Sequence, residues 1–347
     1  MILPEKYYVV SAEGLLEEVL LEQAIKDYPN TKTFDLVVPA CVKTLRFLCL
    51  PTDYHKIVSS ISLPDGITEI PQDFMNGGVQ LTSVVLPPSL QKIGINAFYH
   101  CENLNSIHLP SGVVFIGKDA FGECRGLQSL VLPDSIKEID ICAFAKCTGL
   151  SSVILPAKVA IIGVHAFEGT VRDEMLQEYD GCLYLGSLDN PYYMLFKMKS
   201  TDRETYEIHP DTRIINADAF GWAKNLKKIV LPKRLLSIGR DAFWHCKRLT
   251  RISVPDSVQT VGIRAFGNSG LKKVSFGTKI KILPTDIFDC GIDEIYYRGS
   301  LKEFDGITKE YGWVPPWRVI TITCRDETLI KDKRGTSWRK YRKHFDD

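Results

Sequence analysis

Apolar residues recur along most of this chain with a period of about 23 residues. In the unit that starts at Leu86, the recurring positions are Leu86-Pro87, Leu90, Ile93-Gly94, Ala97-Phe98, Cys101, Leu104 and Ile107. The Leu of the Leu-Pro pair has equivalents at Val38, Leu63, Leu109, Leu132, Leu155, Ile208, Leu231, Val254, Phe276 and Tyr297. A single unit of this size cannot bury its own apolar face, so the pattern predicts stacked rungs that share one core.

The residue types within a unit predict its local structure. The segment Leu-x-x-Ile-x-Leu-Pro is typical of a short strand, and its Pro ends the strand because proline has no N–H to donate. We therefore expect one strand per rung. The Gly of the Ile-Gly pair is expected to allow a tight turn, and Ala-Phe sets a small residue beside a large one for interdigitation. The fold class is accordingly mainly β.

One interval breaks the period. Leu155 and Ile208 are 53 residues apart, which leaves room for one rung and a 30-residue insertion near residues 170–200. Two strand-like runs, Cys182 to Leu185 and Tyr192 to Phe196, flank a Gly, Asp, Asn and Pro turn, so a β-hairpin is predicted. Its tyrosines make it a candidate contact surface if it projects from the solenoid. The alternative is a hairpin packed against the flank.

Both ends of a solenoid need a cover for their apolar rungs. Residues 11–27 predict a helix with Ser11 as its N-cap and apolar side chains on one face. Trp313, Trp317 and the strand that follows form the expected second cover. The predicted segments are an N-terminal helical cap at 1–35, repeats at 36–169, the insertion at 170–200, repeats at 201–300, a C-terminal cap at 301–330 and a basic tail at 331–347.

The order Leu-Pro, Ile-Gly, Ala-Phe, Cys and Leu resembles the BspA-like, or treponemal-type, leucine-rich repeat family. The likeness covers about residues 36 to 300. It implies a leucine-rich repeat solenoid of about 23-residue rungs that carries the β-hairpin insertion, and the N-terminal cap helix is predicted from residues 11–27. It also implies binding, because many members of that family are surface or secreted adhesion proteins.

Enzymatic and metal chemistry have no support in the sequence. The seven histidines are scattered without metal-ligand spacing, and no phosphate loop, GxSxG or HExxH motif is present. The chain also has no CxxC pair, and four of its ten cysteines, Cys101, Cys124, Cys147 and Cys246, occupy one repeat position. This position predicts reduced, buried thiols. We therefore expect no cofactor, no metal and no catalytic residues.

Charge is distributed unevenly between the two sets of repeats. Residues 63–168 carry six Lys or Arg against ten Asp or Glu, a net −4, whereas residues 213–281 carry fifteen against three, a net +12. The outward strand positions beyond the insertion are basic, and the candidate partner-binding residues are Lys227, Lys228, Arg251, Lys272, Lys273, Lys247 and Arg248. A field of this sign attracts anions. The alternative is a charge that serves solubility alone.

These observations predict a protein-interaction scaffold whose basic face binds an acidic protein or an anionic glycan. The second hypothesis is a secreted or surface adhesin for host matrix proteins or glycans, which requires export. Nucleic-acid binding has only positive charge behind it, because the basic strands carry no interleaved aromatic residues. The tail, with Lys331, Lys333, Arg334, Arg339, Lys340, Arg342 and Lys343, is interpreted as solvated charge rather than a nucleic-acid arm.

Localisation is predicted from two features of the sequence. No run of 18 or more apolar residues is present, so no membrane span is expected. The first residues lack the basic start and apolar core of a secretory signal, which favours the cytoplasm. A chain whose export signal had been removed would look the same, so the surface alternative stays open, as does the oligomeric state.

Overall fold

The computed structural model describes residues 1–316, 318–331 and 338–340. The chain forms two compact units, Met1–Leu176 and Gln177–Asp347, which are described in turn. Each unit is a stack of rungs built from short strands, so the mainly β solenoid is confirmed. Within the described residues, no helix is long and apolar enough to cross a bilayer.

The first unit contains eleven strands among its described elements. They are β1 (Tyr8–Val10), β2 (Leu15–Val19), β3 (Phe34–Val37), β4 (Thr44–Leu45), β5 (Val58–Ser62), β6 (Glu69–Ile70), β7 (Ser83–Val85), β8 (Lys92–Ile93), β9 (Phe115–Ile116), β10 (Glu138–Ile139) and β11 (Ile161–Ile162). One α-helix, α1 (Leu21–Asp27), and 3₁₀ helices at Glu5–Tyr7, Thr52–Ile57 and Asp173–Met175 complete the unit.

Each rung of the first unit contributes to two rows of strands, not the single row expected. The front row comes from the segment before Leu-Pro, where β3, β5 and β7 pair in parallel. The back row comes from the two residues before Gly, where β6, β8, β9, β10 and β11 pair in parallel and in register. In the later rungs the front row narrows to a bridge between Ser106 and Ser129. The core lies between the two rows.

The Gly of the Ile-Gly pair has a different role from the predicted turn. A Cβ on Gly94 would lie 2.7 Å from the carbonyl oxygen of Ile70 and 2.8 Å from the nitrogen of Gln72. Gly94 itself does not adopt a positive φ; the left-handed residue is Asn96, two positions later, at φ 53°. Glycine is therefore required because neighbouring back-row backbones touch, and the turn is made by its non-glycine neighbour.

The core of the first unit is a column of phenylalanines beside a column of thiols. Phe98, Phe121, Phe144 and Phe167 stack with centroid separations of 5.3 to 5.6 Å. The Cys124 thiol donates to the Phe98 carbonyl of the preceding rung at 3.1 Å, and Thr170 uses its hydroxyl in the same way. These cysteines are thus hydrogen-bond donors as well as small apolar residues.

The prediction of reduced, buried thiols agrees with the structure at most positions. None of the ten cysteines, all of which lie in the described ranges, forms a disulfide, and Cys41 alone is fully exposed. Burial raises the pKa of the Cys101 and Cys147 thiols to about 12. These thiols therefore stay protonated at neutral pH and keep their hydrogen bonds.

A second left-handed position occurs in most rungs, at the residue before the Cys place. Its non-glycine occupants have φ between 49° and 64° and include His100, Glu123, Lys146, Trp222, His245 and Asn268. In the first unit Glu123 is the centre of an ion cluster, because Lys146 Nζ lies 2.9 Å and Arg125 Nη2 3.0 Å from its carboxylate. The hydrogen bond from Lys146 is the main cause that lowers the pKa of Glu123 to about 2.

The N-terminal cap contains a helix, but a shorter one than the predicted 11–27. Residues before Leu21 form an antiparallel pair, β1 with β2, and α1 begins only at Leu21. Ser11 caps no helix; its Oγ accepts from Leu15 N at 3.2 Å in the turn between the strands. Gly14 at φ 86° makes that turn, which explains why the helical pattern fails there.

The second unit contains sixteen strands among its described elements. They are β12 (Gln177–Tyr179), β13 (Cys182–Leu185), β14 (Met194–Met198), β15 (Thr205–Glu207), β16 (Ile214–Ile215), β17 (Lys228–Val230), β18 (Ser237–Ile238), β19 (Arg251–Ser253), β20 (Thr260–Val261), β21 (Lys273–Phe276), β22 (Ile282–Leu283), β23 (Glu294–Tyr297), β24 (Thr308–Lys309), β25 (Ile320–Thr323), β26 (Thr328–Lys331) and β27 (Trp338–Lys340). Its α-helix is α2 (Leu301–Asp305).

The predicted hairpin exists, but it does not project. Strands β13 and β14 pair antiparallel, β12 adds to β13, and β14 pairs in parallel with β16 of the next rung. The hairpin therefore continues the back row β14, β16, β18 and β20. All four residues of β13 are buried, so the packed alternative is right, because both faces of this strand are apolar and need cover.

The end of the second unit is closed by α2 and a sheet extension. Ser300 and Glu303 form a capping box at the start of α2. Strand β25 continues the front row, and β26 and β27 add to it antiparallel. Trp313 is buried as predicted, whereas Trp317 lies outside the described residues.

The basic tail is not simply solvated charge. Lys331 is buried in β26, where its Nζ donates to the carbonyl of Pro315 at 3.0 Å. Arg339 and Lys340 belong to β27, which pairs with β26. The other tail residues of that prediction lie outside the described ranges.

Candidate binding groove on the second unit

The front row of the second unit presents one buried and two outward columns of side chains. Ile229, Ile252 and Val274 point inward and are at most 7% exposed. The residues on either side of each point outward, since alternate residues of a strand face opposite sides. Arg251 of β19 is in register with Lys273 of β21.

These outward columns form an open groove with a volume of about 630 Å³. Four of the seven predicted residues line it together, namely Lys227, Lys228, Arg251 and Lys273. The other polar lining residues carry hydroxyl groups and are Thr250, Ser253, Ser275 and Tyr296. The sequence-based face is therefore a real concavity. Lys272, Lys247 and Arg248 are not among its lining residues.

Lys227 is neutralised by a carboxylate from the preceding rung. Its Nζ lies 2.6 Å from Glu204 Oε1, and Arg248 Nη1 lies 3.4 Å from the same oxygen. The hydrogen bond from Lys227 lowers the pKa of Glu204, so this carboxylate stays charged and occupied at neutral pH. Lys227 and Arg248 are thus poor candidates for a ligand's negative charge.

Lys273 is neutralised in the same way from the following rung. Its Nζ lies 2.8 Å from Glu294 Oε1, and their hydrogen bond raises the pKa of Lys273 while it lowers that of Glu294. The neighbouring Lys272 donates to the carbonyl of Gly291 at 3.2 Å. Both lysines are therefore already engaged within the protein.

Lys247 lies beside the left-handed residues that precede the Cys place, His245 and Asn268, rather than in the groove. Its Nζ donates to the side-chain oxygen of Asn268, and the amide nitrogen of Asn268 contacts His245 Nδ1 at 2.8 Å. His245 in turn packs against the ring of Trp222 at 4.2 Å. Lys247 therefore lies outside the groove, and its role in partner binding stays a prediction.

Lys228 and Arg251 are different from the other five predicted residues. Both side chains are exposed, and neither makes a hydrogen bond or ion pair with any residue in the described ranges. They occupy the same position in successive rungs, on the neighbouring strands β17 and β19. The groove therefore holds two adjacent cations whose charge no carboxylate of the described chain satisfies.

Sequence reasoning missed the acidic residues that bound the groove. Glu204 and Glu294 fall just outside the 213–281 window, so the net charge of +12 overstates what this surface presents. The signal was available in the rung spacing, because Glu204 is 23 residues before Lys227. Sequence reasoning also missed the hydroxyl groups beside the cations. Ser275 Oγ donates to Ser253 Oγ at 2.8 Å, and Tyr296 donates to Glu294 at 3.1 Å.

Within the described residues, no group of three or more His, Cys, Asp or Glu side chains is placed to hold a metal ion. The groove itself contains donors and hydroxyls, with no carboxylate, thiol or imidazole among its lining residues. The arrangement of these residues can attract and hydrogen-bond an anion.

The repeat units match a known family model, the BspA type leucine rich repeat region, in six copies over residues 68–176 and 196–307. The chain belongs to the BspA-type leucine-rich repeat family. A search of curated proteins found no match.

Solved structures of bacterial leucine-rich repeat proteins are similar to this chain. A leucine-rich cell surface protein from Faecalibacterium prausnitzii is 20% identical, with 90% of each chain covered and a TM-score of 0.42. A leucine-rich repeat protein from Bacteroides ovatus is 20% identical, covers 93% of this chain and 91% of its own, and has a TM-score of 0.43. The pneumococcal vaccine antigen PcpA is 22% identical over 84% of this chain and 80% of its own, with a TM-score of 0.34.

Proposed function

We propose that this chain is a non-enzymatic binding protein that uses the groove of the second unit to bind an anionic partner. The observation that carries the proposal is the pair Lys228 and Arg251, two exposed cations on neighbouring strands that have no carboxylate partner in the part of the chain that the structure describes. Strands β17 and β19 are in contact, although they belong to separate hydrogen-bonded sheets, and like charges on neighbouring strands repel each other. A ligand anion between them relieves that repulsion.

The neighbouring ion pairs support this interpretation over a charge that serves solubility alone. Glu204 pairs with Lys227 and Glu294 pairs with Lys273, so one groove-lining lysine in the first basic rung and one in the last have a carboxylate partner. Of the four cations that line the groove, Lys228 and Arg251 have no carboxylate partner among the described residues. A surface charge kept for solubility needs no such arrangement, because interspersed single charges serve equally well.

The charge-reversal double variant K228E/R251E tests the proposal in the full-length chain. Its matched control, K279E/K281E, changes two exposed lysines of the same unit that do not line the groove. Binding to immobilised heparin fragments and to poly-L-glutamate is measured by biolayer interferometry at 50, 150 and 500 mM NaCl. Because exposed charges are screened by salt, wild-type affinity should fall across this range.

We expect K228E/R251E to lose at least tenfold in affinity for any anionic probe that the wild type binds, and K279E/K281E to lose much less. Equal losses in the two variants would mean that net charge, and not the groove, attracts the probe. No binding of either probe by the wild type at 50 mM NaCl would overturn the proposed function.

The surface-adhesin alternative is supported by family membership, since many members act in adhesion. It is distinguished by where the native protein is found. Cell fractionation and N-terminal sequencing of the native chain should show an exported, processed protein under the adhesin hypothesis. Recovery in the cytoplasm with an unprocessed N-terminus would exclude adhesion and leave an intracellular interaction scaffold.

A further inference from the structure

We infer that the anionic partner of the groove is a sulfated glycan rather than an acidic polypeptide. This inference rests on the proposed function and names the ligand class for the same site. Two properties of the residues around Lys228 and Arg251 support it. The groove has neither a free strand edge nor an apolar pocket for a polypeptide, and its lining includes hydroxyl groups that can hydrogen-bond a sugar.

A polypeptide has two usual ways to bind a sheet, and the groove supports neither. It can add as a strand at a sheet edge, but β21 is paired on both sides, with β19 and β23, and the facing edges of β17 and β19 are in contact with each other, which leaves no room for an added strand between them. It can also insert an apolar side chain into a pocket, as hot-spot residues do. The floor residues Ile229, Ile252 and Val274 are nearly inaccessible, so the groove has no such pocket.

The hydroxyl groups beside the cations suit a sugar chain. Thr250, Ser253, Ser275 and Tyr296 each carry a group that donates and accepts hydrogen bonds. The hydroxyls of a sugar ring have the same dual character, whereas the carboxylates of an acidic peptide only accept. Ser275 already donates to Ser253, and Tyr296 to Glu294, so the hydroxyls of Thr250 and Ser253 are the ones left to donate to the oxygens of a sugar.

The central pair suits a sulfate ester. Arg251 presents a planar set of N–H donors and Lys228 a compact ammonium, and both donate only. A sulfate group has three terminal oxygens, so one group can accept from both side chains at once. Successive rungs are about 4.8 Å apart. A glycan that lies across the strands would therefore meet Lys228, Arg251 and the hydroxyls in turn along its length.

The test compares three probes by isothermal titration calorimetry at 100 mM NaCl. They are a heparin-derived octasaccharide, the same octasaccharide after chemical desulfation, which keeps its carboxylates, and a glutamate oligomer with as many charges as the sulfated probe. The protein variants are K228Q/R251Q, its charge-matched control K279Q/K281Q, and T250V/S253A. The last variant removes hydroxyls and leaves every charge in place.

We expect the sulfated octasaccharide to bind at least tenfold more tightly than either other probe. K228Q/R251Q should lose at least tenfold for this probe, and K279Q/K281Q less than threefold. T250V/S253A should weaken the sulfated octasaccharide severalfold while leaving any glutamate binding unchanged. Circular dichroism of each variant confirms that it is folded.

Two results overturn the inference in different ways. If the glutamate oligomer binds as tightly as the sulfated probe, and K228Q/R251Q abolishes that binding, the glycan inference fails and the proposed anion-binding function survives. If no probe binds in a way that depends on Lys228 and Arg251, both fail together.

Discussion

The glycines that follow the back-row strands are predicted to set the spacing of the rungs, and Gly262 gives the sharpest test. A Cβ added at Gly262 would lie 2.3 Å from the nitrogen of Arg240 and 2.6 Å from its Cα. Contacts between carbon atoms are favourable only from about 3.5 Å. The variant G262A therefore requires the two rungs to separate locally by about 1 Å.

That separation has a cost that can be worked from the structure. The 2.8 Å hydrogen bond from Gly262 N to the Ile238 carbonyl would stretch beyond bonding distance, a loss of about 1 kcal/mol. Displacement of packed neighbours adds about 1–3 kcal/mol. Alanine also reduces the conformational freedom of the unfolded chain, which stabilises the folded unit by about 0.4–1 kcal/mol and offsets part of this cost. By this reasoning, we expect G262A to lower the free energy of unfolding of the second unit by about 1–3.5 kcal/mol.

Urea titration followed by tryptophan fluorescence measures this change, because all five tryptophans belong to the second unit. The matched control is G306A at the end of α2, where φ is −69° and a Cβ would meet no atom closer than 3.4 Å. The control should be neutral or stabilise the unit by up to about 1 kcal/mol. A difference between the two variants of less than about 0.5 kcal/mol, the scale of an ordinary surface change, would refute the close-contact role of Gly262.

Three further predictions concern the first unit. Replacement of Cys124 by Thr keeps a donor to the preceding rung, as at Thr170, so C124T should be more stable than its isostere C124V by about 1 kcal/mol in urea titrations followed by circular dichroism. Because the pKa of Glu123 is lowered to about 2, its ion cluster stabilises the fold above about pH 4.5, and this stabilisation is lost as the pH falls towards 2. E123Q should therefore be less stable than the wild type at pH 7, and the difference in unfolding free energy should shrink as the pH is lowered from 4.5 to 2. A thiol reagent should modify Cys41 first in the native protein, and modification of buried thiols at the same rate would contradict the core described here.

Much of the fold could be predicted because a 23-residue unit cannot bury its own apolar face, so the repeat already implies that neighbouring units pack on each other. The 23-residue spacing required stacking, and the Phe and Cys columns lie where the pattern placed them. The second row of strands was missed because two residues per rung are too few to show alternation. The role of glycine was misjudged for a related reason: a turn is a local property, whereas the contact between Gly94 and Ile70 joins residues 24 apart.

The sequence predicted which strands carry the basic residues of the groove, but it did not predict which of these residues are paired with carboxylates. Charge columns located the groove, because outward positions repeat at rung spacing. They did not reveal that Lys227 and Lys273 are paired, since pairing depends on Glu204 and Glu294 reaching across neighbouring rungs. The N-terminal helix was overextended because Leu and Glu residues fit a helical period as well as an alternating strand, and only tertiary packing decides between them.

The left-handed position before the Cys place has a consequence for how such arrays diversify. Aromatic, acidic, basic and amide side chains all occur there with nearly the same backbone geometry. Each non-glycine occupant other than asparagine carries a conformational cost of about 1 kcal/mol, which the surrounding rung tolerates. The side chain at this position can therefore change without a change in the backbone of the rung, so the surface chemistry can vary while the scaffold stays the same. A new side chain can be grafted at this position in the rungs that already hold a non-glycine residue there, while the core sequence of the rung stays the same.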